Sequence, residues 1–251
     1  MMKYSFSGHS ALVTGATSGI GAATARLLAA NGLSVVVSGR NRSALDEVVK
    51  DIEKAGGKAV AKVTDVTKPD QVKELVDCAI ENFGALHFAV NNAGILGGSK
   101  PVGELDLDDW HSLIDTNLNG VAYGLRYQIP AILAAGGGAV VNMSSIMGLV
   151  SNARLPGYNA AKHGVVGLSR AAALEYSSKG LRINTIHPGY VDTPILSDYD
   201  EAARADLVTQ HPIGRLGHSD EIAHTIAFLL SEGASFMTGA CLVADGGYTA
   251  K

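Results

Sequence analysis

Tyr158 stands four residues before Lys162 in Tyr158-Asn159-Ala160-Ala161-Lys162, at the opening of an apolar segment. On a helix that spacing puts both side chains on one face, about one turn apart. A free phenol ionises near pH ~10, so it serves as a proton donor and acceptor at neutral pH when a nearby cation favours the phenolate. Lys162 is the candidate cation. Taken alone, such a pair is more often an ordinary surface feature, because short patterns recur easily. A second cluster suits different chemistry: Thr14-Gly15-Ala16-Thr17-Ser18-Gly19-Ile20-Gly21. Glycines between a strand and a helix let the backbone approach a ligand phosphate, while the N–H groups and dipole of the helix attract its charge. The spacing is Gly-x3-Gly-x-Gly, which departs from the usual Gly-x-Gly-x-x-Gly fingerprint. Three glycines alone make a tight turn; their place after the first strand and before an amphipathic helix favours dinucleotide binding.

The elements that must position these clusters are legible as an alternation. Ala11 to Thr14, Leu33 to Ser38, Ala59 to Val63, Leu86 to Asn91, Ala139 to Met143, Arg182 to His187 and Cys241 to Ala244 read as seven short strands. Helix-period segments separate them. Ile20 to Asn31 puts Ile20, Ala23, Leu27 and Leu28 on one face with Gly32 as a stop; Ser43 to Ala55 has Ser43 as candidate N-cap and Gly56-Gly57 at its end. Such alternation predicts an α/β fold: a doubly wound parallel sheet of about seven strands, helices on both faces, in three α/β/α layers. No repeat or linker interrupts it, so one domain over 1–251 is expected. The least regular stretch lies between Pro188 and Gly217.

Composition removes other classes. The 251 residues include only two cysteines and no Cys-x-x-Cys, which argues against a disulfide scaffold or a cysteine zinc cluster and for a reducing compartment. Twenty basic against 24 acidic residues, a net charge of −4, argue against a nucleic-acid or anionic-membrane surface. Met1 to Ser10 carries one lysine and no long apolar run, and no apolar stretch reaches the roughly 18 residues of a membrane span. The expectation is a soluble cytoplasmic protein.

Asn91-Asn92-Ala93-Gly94, Asn117, Ser144-Ser145 and the closing Val243-Ala244-Asp245-Gly246-Gly247 accompany the glycine loop and the tyrosine-lysine pair in a fixed order. Together they make the chain resemble the classical short-chain dehydrogenase/reductase family over nearly its whole length. The resemblance implies a Rossmann-type sheet and a catalytic set of Asn117, Ser145, Tyr158 and Lys162. The family serine lies thirteen positions before the tyrosine, which selects Ser145 over Ser144. It further implies that Gly15, Thr17, Ser18, Gly19, Ile20 and Gly21 meet the cofactor's phosphates. Asn91, Ala93 and Gly94 would flank the adenosine ribose, and Asp65, with Val66 beside it, the adenine. Pro188, Gly189, Val191 and Thr193 would border the nicotinamide; Pro188-Gly189 also reads as a turn after the sixth strand. Tyr158 would exchange a proton with the substrate oxygen while Ser145 donates to the same oxygen. Lys162 would lower the tyrosine pKa and hold ribose hydroxyls, and Asn117 would position a water. The family is usually tetrameric, which implies a homotetramer joined through helices around Leu113 to Leu133 and Tyr158 to Tyr176.

An NAD site of this kind ends its second strand with an acid for the ribose 2′-hydroxyl, whereas a 2′-phosphate needs that acid absent and an arginine near. Here Ser38 is followed by Gly39-Arg40-Asn41-Arg42, with no carboxylate before Asp46. Arg40 offers a charged fork, and Ser38 or Asn41 can add hydrogen bonds, so NADP(H) is expected over NAD(H). Eight histidines show no paired ligand spacing, and no metal site is expected. The acids from Glu104 to Asp109 precede a helical pattern and suit its N-terminus.

The segment 191–214, with Pro194, Ile195, Leu196, Tyr199, Leu207, Val208 and Ile213, corresponds in the family to the substrate-binding region, and its apolar content suggests a hydrophobic ketone or secondary alcohol. Gly39-Arg40, His187-Pro188-Gly189-Tyr190 and Asp245 to Ala250 look like bacterial NADPH-dependent carbonyl reductases acting as alcohol dehydrogenases. Because Asn-Ala-Ala-Lys-His-Gly after Tyr158 occurs widely, 3-oxoacyl-carrier-protein reductases and sugar dehydrogenases stay open. A non-catalytic nucleotide-binding protein would typically lose part of the catalytic set, and an extended-type epimerase would need a larger C-terminal domain.

Overall fold

The computed structural model describes residues 3–197 and 199–250; Met1, Met2, Lys251 and Asp198, the last within the 191–214 segment, lie outside the described residues. Seven strands form one parallel sheet: β1 (Ser10–Thr14), β2 (Ser34–Gly39), β3 (Lys58–Val63), β4 (Phe88–Asn91), β5 (Gly138–Met143), β6 (Leu181–Pro188) and β7 (Cys241–Ala244). Their order across the sheet is β3-β2-β1-β4-β5-β6-β7, so the winding reverses between β1 and β4. A crevice outside the carboxyl ends of the strands at such a reversal is the expected place for a ligand.

The helices are α1 (Gly19–Ala30), α2 (Arg42–Lys54), α3 (Pro69–Phe83), α4 (Leu107–Ile114), α5 (Gly120–Ala134), α6 (Pro156–Tyr176), α7 (Glu201–Thr209) and α8 (Ser219–Leu230). Side chains alternate across each strand, and the two resulting faces are covered by different helices. Ala11, Val13, Val35 and Val37 pack with Leu28 of α1, Ile52 of α2 and Ile226 of α8. Leu12 and Val36, one residue out of phase, pack on the opposite face with Leu75 of α3, Leu125 of α5 and Val165 of α6. Burying each such Leu or Ile contributes about 1.5–3 kcal/mol. The sheet floor of any site at its carboxyl edge is therefore rigid.

Most element ends shift by one or two residues from the sequence expectation, and two of these shifts have a clear local cause. The N-cap of α2 is Asn41, whose Oδ1 accepts from the Ala44 N–H at 3.2 Å; Ser43 lies inside the first turn and donates its hydroxyl to the same oxygen at 2.8 Å. Strand β6 runs through Pro188, pairing it with Ala244, so the turn begins at Gly189. The irregular stretch after it holds a short 3-10 turn, Pro194–Leu196, and α7.

Candidate active site

The carboxyl ends of the strands open into a cavity of about 380 Å³. Gly15, Thr17, Ser18, Gly19, Ile20 and Gly21 line one part of it, with Gly39, Arg40, Asp65, Val66, Ala93 and Gly94 nearby; Ser145, Tyr158 and Lys162 line it together with Pro188, Gly189, Val191 and Thr193. The two clusters that the sequence separates by more than a hundred residues thus share one cavity.

The glycine loop is built for close approach. Gly15 and Gly19 have φ of +65° and +52°, in the left-handed region. A Cβ on Gly15 would lie 2.8 Å from the Cα of Ala93, and one on Gly21 would collide with the Gly15 carbonyl. Ser18, the N-cap of α1, makes no side-chain cap bond, and the first turn carries no acid. The positive end of this helix is thus neither capped nor neutralised, and its backbone N–H groups face the cavity, as an anionic phosphate requires. Asn92, quoted in the sequence motif but given no role there, holds the loop: its Nδ2 donates to the carbonyls of Thr14 and Gly15 at 3.0 and 3.1 Å, while Thr14 Oγ1 accepts from the N–H of Asn92 and Ala93. The doubled asparagine was the available signal.

At the end of β2, a Cβ on Gly39 would lie 2.8 Å from Cγ2 of Thr17. The position where a ribose-binding acid would stand is therefore already filled by a threonine methyl. Arg40 beside it is exposed and forms no salt bridge among the described residues. Burial acts to raise the Asp65 pKa, but Thr67, which donates from N–H at 3.0 Å and from its hydroxyl at 2.9 Å, together with the charges of Arg40 and Lys68, holds it below the ordinary range. Ser38 is fully buried and its hydroxyl has no partner among the described residues. Neither it nor Asn41, engaged as a helix cap, is on the cavity wall.

At the other end, Ser145 and Tyr158 share a hydrogen bond, and Ser145 Oγ accepts from the Met147 N–H at 3.1 Å. Lys162 is buried at 3% exposure, donates from Nζ to the Met143 carbonyl at 2.9 Å, and lies 5.5 Å from the centroid of the Tyr158 ring. Ser144 donates to the Lys162 carbonyl at 3.0 Å, fixing the end of β5 to α6. Burial pushes the Tyr158 phenol up, with the Ser145 hydrogen bond pulling the other way, and pushes Lys162 down to about 8. The expected pull of the lysine charge on the phenol is not among the causes of its shift; desolvation is the largest cause for both groups.

Two expected residues are held elsewhere. Asn117 is fully buried in the π-helical turn Asp115–Asn119 between α4 and α5, and its side chain grips the backbone of Ile95, accepting from N–H at 2.8 Å and donating to the carbonyl at 2.7 Å. A Cβ on the neighbouring Gly94 would lie 3.2 Å from Asn117 Oδ1 and 3.7 Å from Lys162 Nζ, so Asn117 abuts the lysine's surroundings without lining the cavity. Asn91 bonds to Gln128 at 3.0 Å and Asn142 at 2.8 Å, and its side chain joins β4 to α5 and β5 rather than facing the cavity. Leu196, named in the sequence among the apolar residues of 191–214, is on the wall, but its other apolar members Ile95, Leu96, Met147 and Leu155 escaped the sequence reading, because such residues look like ordinary core.

Asp106 caps α4, accepting from the N–H groups of Asp108 and Asp109 at 3.0 and 3.2 Å, which is the helix-terminus role expected of the acidic stretch. Among the described residues no group of three or more His, Cys, Asp or Glu is placed to hold a metal ion, and no helix is long and apolar enough to cross a membrane.

A parallel sheet with a phosphate-ready glycine loop at its reversal, sharing a cavity with a buried tyrosine, serine and lysine, defines an oxidoreductase of Rossmann type. A family model described as enoyl-(acyl carrier protein) reductase matches residues 15–249. Cyclohexanol dehydrogenase of Acinetobacter sp. (strain SE19) is 52% identical over 251 residues, covering 100% of this chain and 99% of that protein. Cis-4-hydroxycyclohexanecarboxylate dehydrogenase of Sinomonas cyclohexanicum is 46% identical over 249 residues, covering 99% and 100%. The crystal structure of levodione reductase superposes with a TM-score of 0.93 at 34% identity, covering 96% of this chain and 98% of that one. The chain belongs to the short-chain dehydrogenase/reductase family. It is an oxidoreductase that interconverts alcohols and ketones with a nicotinamide dinucleotide.

Proposed function

We propose that the substrates are apolar secondary alcohols on an alicyclic ring and the corresponding ketones, that NADP(H) is preferred over NAD(H), and that Asn117, Ser145, Tyr158 and Lys162 form the catalytic set. The observation that carries this reading is the meeting of Ser145, Tyr158 and Lys162 in the same cavity that the glycine loop lines. The apolar wall and the two relatives named for six-membered-ring alcohols support the substrate class. The Thr17 methyl at Gly39 and the exposed Arg40 support the cofactor preference.

The dinucleotide supplies or accepts the hydride when bound. Gly15, Thr17, Ser18, Gly19, Ile20 and Gly21 would hold its phosphates at the uncapped end of α1, Arg40 its 2′-phosphate, Asp65 and Val66 its adenine, and Pro188, Gly189, Val191 and Thr193 its nicotinamide end. In ketone reduction Tyr158 gives its hydroxyl proton to the substrate oxygen, and Ser145 donates a hydrogen bond to the same oxygen. The Met147 N–H on Ser145 Oγ fills one acceptor site of that hydroxyl and leaves its own proton to point toward Tyr158 or the substrate. Lys162, whose pKa burial lowers to about 8, would return a proton to the phenol, with Asn117 keeping the Gly94–Ile95 backbone in place.

The whole of 1–251 would act as one catalytic domain, with the segment 191–214 closing over the substrate; Arg204 of α7 already ties it down through Asp192 at 2.8 Å and the Leu196 carbonyl at 3.1 Å. Leu174 on α6 is 87% exposed, which fits burial in a homotetramer. The test is to follow NADPH and NADH absorbance with ring ketones, β-ketoacyl thioesters and sugars, and to measure the mass in solution. Faster oxidation of NADPH with the ring ketones is expected; turnover of thioesters or sugars alone overturns the substrate reading.

A further inference from the structure

Tyr190 follows the end of β6 and lines the cavity with Tyr158, and three separate elements hold it still. Its N–H donates to Nε2 of the buried His211 at 3.1 Å, and His211 donates from Nδ1 to the Leu207 carbonyl of α7 at 2.8 Å. Its ring stands edge-on to His211 and to Tyr248, with centroids 5.7 and 6.0 Å away and interplanar angles of 76° and 68°. Its hydroxyl accepts from Asn152 Nδ2 at 3.1 Å, and Asn152 is itself clasped by Asn159, the neighbour of Tyr158, whose Nδ2 donates to the Asn152 carbonyl at 2.8 Å.

A phenol that accepts one hydrogen bond still has its own proton to donate. Among the described residues no acceptor takes that proton from Tyr190. Burial, with the nearby Tyr248, pushes the phenol up to about 12, so it stays a donor at any working pH. The cavity also carries Ile95, Leu96, Met147, Leu155 and Leu196, and its cationic side chains are Arg40 and Lys162, the latter bonded to the Met143 carbonyl. A donor fixed by a network from three elements, half-buried and left unanswered in a cavity that also carries these apolar side chains, favours an acceptor on the ligand, because a ligand that covers it without pairing it leaves the group unsatisfied.

We propose that Tyr190 is a second polar anchor in the substrate cavity, donating to a neutral oxygen on the substrate ring remote from the carbonyl that reacts. The preferred substrate then carries a second hydroxyl or carbonyl. The inference rests on the alicyclic reading above and narrows it.

The experiment compares 4-hydroxycyclohexanone with 4-methylcyclohexanone, rings of similar size that differ in the remote oxygen, in steady-state reduction by the full chain with NADPH. Tyr190→Phe should lower kcat/KM for the hydroxy ketone by about 5- to 10-fold, mostly through KM, and leave the methyl ketone within about twofold, as loss of one hydrogen bond predicts. Asn152→Ala, which frees the hydroxyl without removing it, should lower the hydroxy ketone by a smaller factor in the same direction. Equal losses on both ketones, or none on either, overturn the anchor while leaving the alicyclic reading intact. Failure of the unaltered protein to reduce either ketone while it turns over other carbonyls overturns that reading and the anchor with it.

Discussion

The two ends of the cavity are built differently. Around Ser145 and Lys162 the side chains are buried, their polar atoms are tied to the main chain of β5 and its following turn, and the backbone comes from the centre of the sheet. Around Gly39, Arg40 and Asp65 the backbone comes from the sheet's outer strands, and Arg40 projects into solvent. Under the function proposed above the two ends have different jobs: one would fix groups where charge develops in the reaction, the other would select which cofactor arrives. A preorganised donor gains its effect from being unable to move, whereas a selecting charge works in water and is weakened by screening.

Substitutions at the two ends test that contrast, and the largest effect belongs to the buried end. Tyr158→Phe should reduce kcat by about 100- to 10,000-fold, the range for loss of a positioned acid, with fluorescence titration showing NADPH binding within a few-fold of normal. Loss of binding in parallel would merge the two roles. At the exposed end, Arg40→Asp should raise KM for NADPH by about 10- to 100-fold, as for a charge-assisted bond, and change NADH far less. Similar changes with both cofactors would remove the selecting role from Arg40.

The third test is thermodynamic. Lys162 has a folded pKa near 8 because burial disfavours its charged form, below the lysine value of the unfolded chain. Between these values the unfolded chain binds the proton and the folded chain does not, so stability rises with pH through that window and the gain is absent below it. Denaturant unfolding should show a rise of up to about 1.4 kcal/mol per pH unit between pH 8 and 10, relative to Lys162→Met. The smallest effect is expected far from the cavity. Arg215 pairs with Glu221 at 2.7 Å and, with the His218 N–H, holds that carboxyl down to about 2, but both side chains are over 40% exposed. Glu221→Gln should cost about 0.5 kcal/mol or less near neutral pH, with the difference vanishing as acid protonates the carboxyl.

Much of this was legible in the sequence because it is local. Seven strands announced themselves by apolar runs, and the glycine loop and tyrosine-lysine pair each lie within eight consecutive residues. What escaped depends on partners brought in by the fold. Asn117 grips Ile95, Asn152 reaches Tyr190 across 38 positions, and Tyr190 meets His211 across 21; no periodicity joins them. The α2 cap was misplaced by two residues because Asn41 and Ser43 are both good caps, and only the backbone geometry at Asn41 decides. The upward push of burial on the Tyr158 phenol was not legible for a related reason: a sequence shows which charge is near in the chain, not how little water remains.

The threonine methyl over Gly39 has a consequence for how cofactor choice can change. A carboxylate placed there by Gly39→Asp alone would enter space held by Thr17 and would disturb the loop that receives the phosphates. The two positions are expected to be coupled, so Gly39→Asp made together with a smaller residue at 17 should not equal the sum of the two single changes. If cofactor choice turns on Gly39, as proposed above, it turns on Thr17 as well, and the two positions alter it together rather than one at a time.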